Sequence, residues 1–143
     1  MNAPLYNAQI LRLAATIPHT SRLDTPDATV EKRSPVCGSR VTVDVMIDDE
    51  TGRVTAIGQK INACALGQAS ANLMASHAIG RNLQELEAAR DTLAAWLAGE
   101  REDMGTWPGI EILAPARSHS ARHASIRLAF EAVAEAARKA RGD

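Results

Sequence analysis

Apolar and other positions alternate over residues 41–47, where Val41, Val43, Val45 and Ile47 are interleaved with Thr42, Asp44 and Met46. This period of two predicts a strand with one buried face. Asp48-Asp49-Glu50-Thr51-Gly52 reads as the turn that follows, because short carboxylate side chains bond nearby backbone and Gly52 accepts a positive φ. A second strand is expected from Arg53 through Val54, Ala56 and Ile57 to about Ile61. If Ile47 faces Val54, the antiparallel ladder sets Cys37 opposite Cys64 at the open end of the hairpin. Gly38 and Gly58 are the positions where a bulge would disturb that register.

Elsewhere the period is helical. Tyr6, Ile10, Leu13 and Ile17 predict an amphipathic helix over residues 4–16, which Pro18 helps to end. Residues 18–35 carry no such period and read as an extended connection, with Ala28–Lys32 able to add an edge strand. Leu66, Ala69, Leu73 and Met74 mark one face of a helix over 66–78, with Gly80 placed to stop it. Asn82 and Glu85 have the form of a capping box ahead of Leu83, Leu86, Leu93 and Leu97. Residues 99–117, with Trp107-Pro108-Gly109 and Pro115, read as a loop. A last helix runs from Ser118 or Ser120 to Ala140 with Ile126, Phe130, Val133 and Ala137 inward; Arg138, Lys139 and Arg141 suit its negative C-terminal end. The order predicts an α+β fold in one domain over 1–143, a small antiparallel sheet of about three strands packed on one face by helices.

Composition narrows the function classes. With 143 residues, 45% of them hydrophobic, the chain suffices for one core. A net charge of -1 supplies no overall footprint for nucleic acid or an anionic membrane. No window approaches a membrane span and no basic, then apolar, leader opens the chain, so a cytoplasmic location is expected. In a reducing compartment two cysteines point to free, catalytic or metal-binding thiols before a permanent disulfide. Cys64 falls at a helix N-terminus, whose unpaired N–H groups favour negative charge on the sulfur, and Cys37 precedes a glycine that allows close backbone approach. Paired soft ligands suit iron, zinc or copper(I) over magnesium or calcium. His19 and His77 have no partner signal and read as surface residues. Trp96 reads as packing, and Trp107 as packing or part of a partner surface.

Ser34-Pro35-Val36-Cys37-Gly38, the hairpin, Ala63-Cys64-Ala65 and then Gln68-Ala69-Ser70-Ala71-Asn72-Leu73-Met74 with Gly80 resemble the IscU/NifU N-terminal type of iron-sulfur cluster assembly scaffold. The likeness continues to Tyr6 and Ile10 at the front and Leu128-Ala129-Phe130-Glu131-Ala132-Val133 near the end, so it covers nearly the whole chain. The resemblance implies a SufE/NifU-like fold on which iron and sulfur from a cysteine desulfurase form a labile cluster, of the 2Fe-2S kind, for transfer to recipient apoproteins. Such a protein is a scaffold or carrier and not an enzyme.

Two positions depart from the family pattern. Ser39 stands where the family has an aspartate, and the place of its third cysteine falls on Ser125, or on Ala124 with a one-residue slip. The family's histidine maps correspondingly to Ala124 or to His123, with His119 one turn earlier. The candidate ligands are therefore Cys37, Cys64 and His123. Iron-sulfur clusters generally take four ligands, so the set calls for His123, an exogenous thiol or the cysteines of a second copy in a homodimer. The alternatives are a SufE-like persulfide acceptor using Cys64 or Cys37, a metal-free regulator of the assembly machinery, or a zinc site of Cys37, Cys64 and His123.

Overall fold

The computed structural model describes residues 5–35 and 38–142. Val36 and Cys37 lie outside the described residues. Three strands, β1 (Ala28–Arg33), β2 (Arg40–Ile47) and β3 (Val54–Asn62), form an antiparallel sheet in the order β1-β2-β3. Four α-helices accompany them: α1 (Ala8–Ala15), α2 (Ala65–His77), α3 (Leu83–Leu97) and α4 (His123–Ala140). Val41, Val43 and Val45 are completely buried on the face where α4 crosses β1 and β2. Helix α2 packs beside α4, and α1 and α3 close the flanks. The expected α+β fold with helices on one sheet face is the observed one.

The register needs a correction. Ile47 faces Val54, but Met46 faces Ala56, so Thr55 is the extra residue of a bulge and every later pair is displaced by one, down to Arg40 opposite Asn62. The displacement arises beside the turn and at neither expected glycine. Gly58 instead serves the outer face of the sheet. A Cβ there would stand 2.5 Å from the Ser21 carbonyl oxygen and 2.9 Å from the Leu23 nitrogen. Residues 18–27 are thus a strap laid across the sheet, and its anchor is the fully buried Asp44, directly opposite Gly58. Arg22 donates to both carboxylate oxygens (2.6 and 2.9 Å), the Leu23 N–H to one of them (3.0 Å) and the Thr29 hydroxyl to the other (2.6 Å).

Helix α1 starts at Ala8, later than expected, because Asn7 caps it by accepting from the Ile10 N–H at 3.0 Å; Tyr6 precedes it and is exposed. The expected loop before α4 contains a 3-10 segment, Ile110–Ala116, and a shorter one, Ser120–Arg122, leads into α4. Trp107 is a packing residue: it is buried, meets the Phe130 ring edge to face at 5.2 Å, and donates from Nε1 to the Leu73 carbonyl at 2.7 Å. The capping box of α3 is complete, with the Asn82 side chain accepting from the Glu85 N–H at 2.9 Å and the Glu85 carboxylate accepting from the Asn82 N–H at 3.2 Å. Asn82→Ala is expected to lower unfolding stability by about 1 kcal/mol, measured by urea denaturation.

Candidate functional site around Cys64

The end of the sheet opposite the hairpin turn gathers three chain segments. β3 ends at Asn62, and Cys64 is the N-cap residue of α2, half-buried, with extended backbone (φ -66, ψ 170). Between β1 and β2 the chain reverses tightly: the Gly38 N–H donates to Ser34 O (3.1 Å) and the Ser34 N–H to Ser39 O (2.8 Å). Gly38 takes φ +72, which is costly for any residue with a Cβ. This turn delivers Ser39, 4% exposed, to the start of β2. The third segment is the first turn of α4, which carries Ser125, 1% exposed.

Ser125 lies between the other two. Its Oγ is 3.0 Å from the Ser39 Oγ and 3.4 Å from the Cys64 Sγ. Gly67 makes this approach feasible, since a Cβ at that position would be 2.5 Å from the Ser125 Oγ. One turn on, the Ser70 hydroxyl donates to the Ile126 carbonyl at 2.6 Å and locks the same two helices together. When Cys64 is a thiolate it only accepts, so Ser125 donates to it, and in the Ser39–Ser125 contact the donor is then Ser39. The spacing also suits metal chemistry. Adjacent ligands on a tetrahedral metal with bonds of ~2.3 Å stand roughly 3.7 Å apart, close to the Cys64–Ser125 separation. Ser125 presents beside Cys64 a hard, poorly ionising hydroxyl, where soft metals prefer thiolate.

Of the sequence-predicted ligands, Cys64 holds this position and Cys37 lies outside the described residues. Of the two positions Ser125 and Ala124, it is Ser125 whose side chain meets Cys64. His123, half-buried two residues earlier, is tied down: its Nε2 is 2.8 Å from Arg117 O and 3.2 Å from Ala116 O. Both neighbours are carbonyls, so Nε2 carries the proton and only Nδ1 is left to coordinate. Among the described residues no three of His, Cys, Asp and Glu converge as a metal-binding group. The Ser39–Ser125 contact was not foreseen from the sequence, since serines 86 positions apart carry no pattern of their own. Among the described residues no helix is long and apolar enough to cross a membrane.

Comparison with known proteins agrees with this fold. The model of the NifU-like N-terminal domain matches residues 5–139. The chain is 28% identical over 137 residues to the iron-sulfur cluster assembly scaffold protein IscU of Thermotoga maritima, covering 94% of each. Among solved structures, a nitrogen-fixing NifU-like protein (N-terminal) from Brucella abortus is similar at a TM-score of 0.89 and 37% identity, over 97% of this chain and 96% of that one. The putative scaffold protein for the SUF system of Fervidobacterium islandicum AW-1, 19% identical, shares the fold at a TM-score of 0.84, over 93% of this chain and 96% of that one.

Proposed function

The chain belongs to the NifU-like N-terminal domain family, and from that premise we propose that it is an iron-sulfur cluster assembly scaffold in which Cys64 and Cys37 hold iron and sulfide as cargo. The observation that carries this reading is the half-buried Cys64 Sγ at the N-terminus of α2, with the Ser125 hydroxyl 3.4 Å away. Two thiolates of one chain leave two positions of a cluster iron pair to be filled. Two cysteines of a second copy of the chain fill both, or His123 through Nδ1 and an exogenous thiol fill one each. A cysteine desulfurase supplies the sulfur, recipient apoproteins take the cluster, and the protein works in the cytoplasm as one domain, without catalytic turnover. The cargo is a 2Fe-2S cluster, and zinc is the competing ion for the same thiolates.

Anaerobic reconstitution with ferric iron and sulfide, followed by sizing and iron and sulfide counting, tests the proposal. The expected result is a sulfide-to-iron charge-transfer band that Cys64→Ser abolishes while the circular dichroism spectrum is retained. A protein that takes up no iron as monomer or dimer overturns it.

The hydroxyl at position 125 favours a second reading, a persulfide carrier. In that step the Cys64 thiolate attacks the outer sulfur of a desulfurase persulfide, the donor's S–S bond breaks, and the desulfurase cysteine leaves as thiolate. Mass spectrometry after incubation with desulfurase and cysteine distinguishes the two: one added sulfur on Cys64 without iron uptake supports the carrier.

A further inference from the structure

The net charge of -1 conceals a segregation. Seventeen carboxylates are distributed so that residues 32–43, 51–84 and 112–130 contain none. These are the stretches that deliver β2, Cys64 and Ser125 to the same end of the molecule. The opposite end carries the turn Asp48-Asp49-Glu50. On the outer face of the sheet the strap covers the row of Thr29, Asp44 and Gly58, and the two rows nearer Cys64 lie beyond it. They are Glu31, Thr42 and Lys60, then Arg33, Arg40 and Asn62. Arg33 and Arg40 face each other and share one carboxylate, Glu31, at 2.9 and 3.8 Å. Lys60 is exposed, and Arg122 is half-buried at the N-cap of α4; neither forms an ion pair among the described residues. Four cations and one anion thus lie on the segments that converge at the Cys64 end of the fold.

We propose that Arg33, Arg40, Lys60 and Arg122 form a docking rim for an acidic segment of the protein that brings sulfur to Cys64. The charge selects the partner: an excess of cations over carboxylates at this end attracts a complementary protein surface and orients its encounter. A nucleic acid or anionic membrane is disfavoured, because Glu31 interrupts the cationic surface and no continuous basic stripe runs from it. The role of the rim in sulfur delivery rests on the scaffold or carrier reading of Cys64; its affinity for acidic peptide does not.

The probe is a fluorescein-labelled peptide of alternating glutamate and serine, titrated against the full chain in a Cys37→Ser background without iron or sulfide. Anisotropy is expected to report binding that weakens with salt, falls about tenfold when the double variant Arg33→Glu/Arg40→Glu turns two exposed attractions into repulsions, and is unchanged by Arg53→Glu at the far end of β3. Lys60→Glu, which breaks no ion pair, serves as the second variant and is expected to weaken binding by a smaller factor. Bound peptide is also expected to slow alkylation of Cys64 by iodoacetamide. Absence of binding, binding indifferent to both rim variants, or tighter binding of oligothymidylate or phosphatidylserine vesicles than of the peptide overturns the proposal. Because the assay uses no metal and no sulfur transfer, its outcome is separate from that of reconstitution.

Discussion

Ser125→Cys is expected to convert a weak iron site into a firm one. The substitution places a third thiolate beside Cys64 at a separation already near that of two sulfurs on one tetrahedral metal, and it exchanges a hydroxyl that soft iron prefers to avoid for one of its favoured ligands. Gly67 leaves room for the larger atom, because no Cβ projects from α2 toward position 125. Removing an outer-shell partner of a metal ligand typically costs 10–100-fold in affinity, so gaining a direct ligand is expected to slow iron loss to a chelator by at least about tenfold. The measurement is anaerobic chelator competition followed at the charge-transfer band. Equal release rates for the variant and the parent protein would show that position 125 is not a ligand position. Ser125→Ala provides the contrast: it removes the hydroxyl without adding a ligand, and is expected to leave iron retention near the parent level or below.

The parts of this site that the sequence makes legible are those governed by local rules. Alternating valines place β2, and the Asn82–Glu85 pair starts α3, because both signals are read within a few residues. The α2 N-terminus was also legible, and with it the position of Cys64. The bulge at Thr55 was not, because nothing in the residues from Met46 to Thr55 distinguishes it from a regular ladder. Asp44 occupies a polar position of the alternation and therefore reads as facing solvent. It is buried because a segment 21 and 22 residues away in the chain, Leu23 and Arg22, covers it, and strand periodicity cannot report that. Gly58 was likewise identified as exceptional for the wrong reason: its missing Cβ accommodates the strap, not a bulge. At the site itself, alignment by pattern left Ser125 and Ala124 as two choices for the place of the third cysteine, and only the folded chain shows that the Ser125 side chain meets Cys64. The charge segregation around Cys64 escapes any count over the whole chain, because the compensating carboxylates lie elsewhere in the fold.

That strap also limits where a partner can reach the sheet, which gives its anchor a functional bearing as well as a structural one. Burial alone would push the Asp44 carboxyl up, but hydrogen bonds from Arg22, Thr29 and the Leu23 N–H outweigh it and hold the group below its ordinary value of 3.8. The unfolded chain therefore takes up this proton more readily than the folded one. The associated stability is present above the ordinary value and is lost as pH falls through the lower folded-state value. Asp44→Asn keeps the side-chain shape while removing the charge on which donors from three residues converge, and is expected to cost about 2–3 kcal/mol near neutral pH, a range set by charged hydrogen bonds with a half-exposed arginine partner. Gly58→Ala attacks the same junction from below by forcing a Cβ against strap backbone, at about 1–3 kcal/mol. Since both act on one contact, the double variant is expected to lose less than the two costs added together. Urea unfolding as a function of pH checks the origin of the effect: the gap between parent and Asp44→Asn should narrow as pH drops below the ordinary carboxyl range. A gap that stays constant with pH would assign the loss to packing and remove the ionised Asp44–Arg22 pair as the clasp that keeps the strap on the sheet.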